Sequence, residues 1–213
     1  MKTALLTGVL TAAFVAAPVQ AQTVKIGLIM PYSGQFADTA TQMDNAIKLY
    51  VKQHGDRVAG KKVEIIRKDS GGIAPDVAKR LAQELVVRDK VDVIGGLILT
   101  PNALAVADVS AEAKKFTVIM NAATSIITNK SPYMARTSLT TPMLNETLGT
   151  WAAKKGGLKR VFTMVSDYGP GIDAEEGFIR AFKEGGGQIV GSVRFPVNNP
   201  DFAAFAQRAK DSD

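Results

Sequence analysis

Two short stretches of this 213-residue chain hold the residue types that could grip a small anion. One is Gly95-Gly96-Leu97-Ile98-Leu99-Thr100-Pro101; the other is Asn121-Ala122-Ala123-Thr124-Ser125. Each follows a brief apolar run, residues 91–94 and 116–120, of the kind that forms a buried parallel strand. The paired glycines let the backbone turn sharply and leave room above the strand end. Thr100 suits a helix N-cap, and Pro101 the first helical position. The small residues at 121–125 leave backbone N–H groups exposed. Free amides beside a helix N-terminus favour a carboxylate. Neighbouring strand ends of a parallel sheet are also where a small ligand docks. The same residues equally suit ordinary strand-to-helix turns.

Residues for catalysis are hard to find. The chain has no Cys and one His, so a zinc or copper site is unsupported. His54 falls at the end of a surface helix and reads as a solvated cap. Neither a GxSxG nor an HExxH pattern is present. Residues 55–62 superficially match the start of a phosphate-binding loop. Lys62, however, stands where Ser or Thr must hold magnesium, and the segment runs from helix to strand, the wrong order. The first strand ends in Met30-Pro31-Tyr32-Ser33-Gly34 rather than GxGxxG, so no dinucleotide cofactor is expected. Asp167 and Asp173 read as turn and cap residues. The expectation is binding without chemistry, with no cofactor and no metal.

The elements that must position these turns follow a regular rhythm. Strands at 24–30, 63–67, 91–94 and 116–120 alternate with helices at 37–53, 75–88 and 100–115, which predicts a parallel sheet covered on both faces. In the first helix Ala40, Met43, Ala46, Ile47, Tyr50 and Val51 are expected to face inward, with Asp38 or Thr39 as cap. In the third, Leu104, Ala107, Ala111 and Ala113 are expected on the sheet. Residues 131–137 form a short extended exit. A second cycle follows: helix 142–154 with Leu144, Leu148, Trp151 and Ala152 inward, strand 160–166, helix 172–184, strand 188–195 and a last helix 201–210 capped at Asn199-Pro200. The fold class is therefore α/β, with two Rossmann-like lobes at 22–140 and 141–213, the second incomplete. Residues 1–21 read as a cleavable export signal: Lys2, an apolar run too short to span a bilayer, and Val19-Gln20-Ala21. The formal net charge of +6 is spread without a run of five basic residues. It reads as a solvated surface rather than a nucleic-acid site.

From residue 24 onward the chain resembles the N-terminal part of the leucine/isoleucine/valine-type periplasmic binding proteins that feed ABC transporters. The likeness is carried in order by KIGLIMPYSGQFAD at 25–38, QMDNAIKLYV at 42–51, KDS at 68–70, IGGLILTPNALAVA at 94–107, NAATS at 121–125 and VSDYGPG at 165–171. The resemblance implies a type I periplasmic binding fold, a periplasmic location, and two lobes closing over a small carboxylate that is delivered to an inner-membrane permease. It implies ligand contacts from the turn at 98–100, from a backbone group of Ala122, from the hydroxyl and amide of Thr124, and from Tyr168 closing across from the second lobe. The candidate ligand-binding residues are Leu99, Thr100, Asn121, Ala122, Thr124 and Tyr168. Two departures bear on the ligand. Ile98 and Leu99 stand where amino-acid binders carry small hydroxyl residues, and a Tyr usual near Thr39 is absent. An ammonium group would find few acceptors, and a buried unpaired charge is costly. The expected ligand is a small carboxylate, an amino acid or an aromatic or aliphatic acid, with an apolar body of the kind aromatic-acid-binding members take favoured over a simple branched-chain amino acid. Family members also continue well beyond residue 213, so the chain is expected to be the N-terminal part of a longer protein. A ligand-sensing domain of a receptor or regulator with the same fold is the alternative; an exported enzyme would need an acid–base pair that spacing does not supply.

Overall fold

The computed structural model describes residues 23–198 and 201–212. The expected export signal and the Asn199-Pro200 cap lie outside the described residues. Two sheets organise the molecule. The larger has the strand order β2-β3-β1-β4-β5-β6, with β1 Thr23–Met30, β2 Arg57–Val58, β3 Lys61–Asp69, β4 Val93–Gly96, β5 Thr117–Ile119 and β6 Met134–Arg136. All neighbours are parallel except β2, which folds back on β3 as a hairpin through Ala59-Gly60. Sequence reading placed a plain turn there. Both turn residues have positive φ, which closes the ribbon tightly.

Helices cover both faces of this sheet. On one side α2 (Pro75–Val87) and α3 (Thr100–Glu112) pack Leu81, Leu85, Val106 and Ala107 around Ile29, Ile94 and Ile119. On the other side α1 (Ala37–His54) sets Ala40, Met43 and Ile47 against Leu28, Met30 and Ile65. The alternation of β1 is therefore as its sequence reads, with successive side chains going to opposite cores. Tyr50 does not face inward as expected. It is exposed and stacks on His54, with ring centroids 4.2 Å apart, at the end of α1. The expected cap at Asp38 or Thr39 is also replaced, by Phe36 acting without a side-chain bond. In α3 the spacing expected only Leu104 and a row of alanines on the sheet. The helix also buries Ala103, Val106 and Val109, because α2 lies against a second side of it.

The second sheet pairs β7 (Arg160–Ser166) with β8 (Gln188–Phe195) in parallel. Helices α4 (Thr141–Lys154) and α5 (Gly169–Glu184) pack together on it, and α6 (Phe202–Lys210) follows β8. Helix α4 corrects the expectation most sharply. Leu144, Leu148 and Trp151 are about half exposed, while Gly149, Ala152 and Ala153 are buried. The cause is close helix approach. A Cβ added to Gly149 would sit 2.6 Å from the Phe178 carbonyl oxygen, and one on Gly177 would sit 3.2 Å from Pro142 Cα. Only the small-residue face of α4 can come that near to α5, so the large apolar residues turn outward. Ala152 alone of the four expected residues faces in.

Glu175 ties this second unit together. Its buried carboxylate accepts hydrogen bonds from Thr163 Oγ1 at 2.8 Å, from Arg194 Nε and a terminal guanidinium nitrogen at 3.0 and 2.8 Å, and from Ser192 Oγ. One residue of α5 thus pins both strands.

Candidate functional site

The carboxyl ends of β1, β4 and β5 come together, as a parallel sheet requires, and their loops interlock. Leu97 N–H donates to Ile29 O at 2.9 Å, Met120 N–H to Gly96 O at 2.8 Å, and Ala122 N–H to Leu97 O at 3.1 Å. Gly96 is needed here: its φ is +97°, and a Cβ would lie 2.5 Å from the Ile29 oxygen. The β1 loop is fixed by Asp69, whose carboxylate accepts from the N–H groups of Tyr32 and Gly71, each at 2.8 Å, and of Ser33 at 3.3 Å. Burial pushes this carboxyl up, but those bonds and the Ser33 hydroxyl outweigh it and hold its pKa below the usual range.

Between these loops and the start of α5 lies a cleft of about 310 Å³. Its floor is Ile98, Leu99 and Thr100 together with Asn121, Ala122 and Ala123. Phe36 and Thr39 close one side, and Tyr168 and Pro170 reach over from the second unit. No charged side chain among the described residues lines it. Among the described residues nothing accepts a hydrogen bond from the amides of Leu99, Ala123 or Thr124. Burial pushes the Tyr168 phenol above its ordinary pKa, so it stays a neutral donor at neutral pH. A larger groove of about 540 Å³ runs along the outer face of α4, past Glu146, Trp151 and Lys155. It is walled by one helix and gathers no loop amides, so the strand-end cleft is the better site.

Five of the six expected residues, Leu99, Thr100, Asn121, Ala122 and Tyr168, line this cleft. Thr124 lies just behind it, buried, with its hydroxyl 2.8 Å from that of Thr100. Thr100 is accordingly not the N-cap of α3. Leu99 holds that position, and the Thr100 hydroxyl goes to a partner 24 residues away instead of to its own helix. Phe36, Ala123 and Pro170 were missed by sequence reading. A large apolar residue in the polar turn after β1 was the available signal for Phe36. Asp173 caps an element, but not its own: Ser125 donates to it from its N–H at 2.9 Å and its Oγ at 2.8 Å, joining the loop after β5 to α5. Behind the same loop, Arg136 donates to the carbonyls of Ala123 at 3.3 Å and Thr124 at 2.6 Å. Among the described residues no group of His, Cys, Asp and Glu could hold a metal ion.

Residues 23–213 match the family model described as "Periplasmic binding protein". The chain belongs to that family. It is 41% identical to a Leu/Ile/Val-binding protein homolog 6 of Brucella abortus (strain 2308), an alignment covering all of this chain and 54% of that protein. A crystal structure of an ABC-transporter solute-binding protein from Rhodopseudomonas palustris BisB5, in complex with 3,4-dihydroxybenzoic acid, is 54% identical. It superposes with a TM-score of 0.85 over 89% of this chain and 52% of that one. A second R. palustris solute-binding protein, in complex with 4-hydroxybenzoate, is 46% identical, with a TM-score of 0.85 over 90% and 52% of the two chains. The chain thus spans about half the length of the curated relatives it matches. These relatives are binding proteins of transporters, and the two-sheet α/β architecture is theirs.

Proposed function

We propose that this chain is the ligand-gripping part of a periplasmic solute-binding protein. It takes an aromatic carboxylate between two α/β lobes, residues 22–140 and 141–213, for delivery to an ABC permease in the inner membrane. Residues 1–21 act as the export signal. One observation carries the reading: the amides of Leu99 and Ala123 on the cleft lining, and of Thr124 just behind it, have no acceptor among the described residues, and the other walls include Phe36, Ile98 and Tyr168 with no carboxylate. Such a site offers donors to an anion and apolar surface to a ring, but no counter-charge to an ammonium. The complexes of the R. palustris proteins with hydroxylated benzoates support this choice over a branched-chain amino acid.

The ligand leaves as it entered: no His, Cys, Lys or carboxylate among the described residues lines the cleft to activate a hydroxyl or move a proton. Its carboxylate is held by the loop amides and Thr100. Its ring lies against Ile98, Leu99 and Phe36, and Tyr168 donates from the second lobe. A thermal-shift comparison tests this. Ligand at a hundredfold excess over Kd stabilises by about 2.7 kcal/mol, which is several degrees for a chain of this size. 4-Hydroxybenzoate and 3,4-dihydroxybenzoate are expected to raise Tm and leucine to leave it unchanged. A rise with leucine alone would overturn the reading.

A further inference from the structure

The cleft is built for an anion, yet no cation lines it. A positive charge stands one peptide unit behind its floor. Arg136, at the end of β6, directs its two terminal guanidinium nitrogens at the carbonyls of Ala123 and Thr124. Its Nε is buried and bonds to nothing among the described residues. No carboxylate among them lies within ion-pair distance of it, and the one acid that acts on it from further away is Asp173.

We infer that Arg136 is a positioning residue that gives the cleft its preference for anions, acting through the peptide group between Ala123 and Thr124. This rests on the aromatic-carboxylate reading above. The reasoning is electrostatic. Peptides are trans here, so an N–H points opposite to the carbonyl of its own peptide unit. With the Ala123 carbonyl held by Arg136 and by Thr141 N–H at 2.9 Å, the Thr124 N–H is aimed away from the guanidinium. A charged donor on the carbonyl polarises that peptide and strengthens its N–H as a donor. The guanidinium also adds attraction across one peptide width, in surroundings where screening is weak. Its charge is not neutralised by a close ion pair, and it stays protonated at any working pH. Asp173 keeps its charge while bonded to Ser125 and opposes the guanidinium in part, but its bonds are to Ser125 and not to the Ala123–Thr124 peptide, whose carbonyl is held by Arg136 and Thr141.

The alternative is that Arg136 only staples the loop. Calorimetric titration of the full chain with 4-hydroxybenzoate and with its neutral analogue 4-hydroxybenzamide separates the two. Arg136→Gln is expected to weaken benzoate binding about tenfold, a difference of about 1.4 kcal/mol, and benzamide binding far less. Arg136→Lys, which keeps the charge but not the two-pronged geometry, is expected to retain most of the benzoate-over-benzamide ratio. Equal loss for both ligands in Arg136→Gln overturns the proposal and leaves a staple. If the Gln variant does not fold, the Lys variant decides: a collapsed ratio overturns the proposal, and a retained one supports it. Failure of the unsubstituted chain to bind 4-hydroxybenzoate would refute the functional reading instead, and this inference with it.

Discussion

The hydroxyl of Thr100 lies 2.8 Å from that of Thr124, both buried, so the first turn of α3 is bonded to the loop after β5 at the floor of the cleft. Two hydroxyls sharing one bond leave one proton free to donate elsewhere. The methyl of each threonine lies under Gly169 at the start of α5. Thr124→Val leaves the mostly buried Thr100 hydroxyl without its partner and is expected to cost about 1–3 kcal/mol. The double variant with Thr100→Val removes both partners and is expected to recover much of that. Urea unfolding of the two variants is the check; equal losses would show that the bond is not what stabilises this contact.

Tyr168 stands half-buried as the extended residue before α5. Tyr168→Ala is expected to weaken 4-hydroxybenzoate binding by about tenfold, within the range for losing one aromatic contact and its hydrogen bond. Its unfolding midpoint without ligand should move little. Calorimetry and a melt on the same sample decide; unchanged affinity would remove Tyr168 from the site.

Glu175 couples the second unit to pH. Burial pushes its carboxyl up, but the bonds from Ser192, Arg194 and Thr163 more than offset this and leave the folded pKa below the ordinary one. A depressed folded pKa means the stabilisation is present above the unfolded value, roughly 4.3, and is lost as pH falls through the folded one. Glu175→Gln is expected to destabilise by about 2 kcal/mol at pH 7, because hydrogen bonds to a charged group are the strong ones. The gap to the parent should close as pH is lowered below about 4. Melts at pH 7 and pH 3.5 would expose a gap that fails to narrow.

Gly149 tests the close contact of α4 and α5. Alanine normally gains about 1 kcal/mol over glycine inside a helix. Here its Cβ meets backbone at 2.6 Å. Gly149→Ala is therefore expected to lower Tm, with overpacking of about 1–3 kcal/mol exceeding the propensity gain. A higher Tm would mean that the helices can part freely.

The single tryptophan, Trp151, reports on the outer face of α4. At 53% exposure it is expected to emit as a solvated indole and to be quenched readily by iodide. Leu148→Lys on the same face should change stability by no more than about 0.5 kcal/mol. Blue-shifted, protected emission would show that something covers this face in solution.

The α/β alternation and the strand-end turns that line the cleft were legible in the sequence, because glycine pairs, prolines and short apolar runs are local signals. The turns that hold Leu99, Thr100, Asn121 and Ala122 stood out for that reason, whereas Tyr168 was implied only by the family resemblance. What could not be read depended on partners distant in sequence. Periodicity marked Leu144, Leu148 and Trp151 as a greasy stripe, but the face that packs is chosen by how near α5 can come, and glycine and alanine win that contest. Thr100 carried every mark of an N-cap, until a hydroxyl 24 residues away claimed it. Arg136 had no local signal, since its role lies in two carbonyls reached only after β6 lies beside β5.

Residues 137–140 carry the chain from β6 to α4, and they run alongside the loop that floors the cleft. Ser138 Oγ donates to the carbonyl of Asn121 at 3.3 Å, and Thr141 N–H to that of Ala123 at 2.9 Å. Whatever rotates one sheet against the other must therefore twist a backbone stitched to the docking floor. The joint and the seat are one piece of fabric, and torsion in either is felt by both.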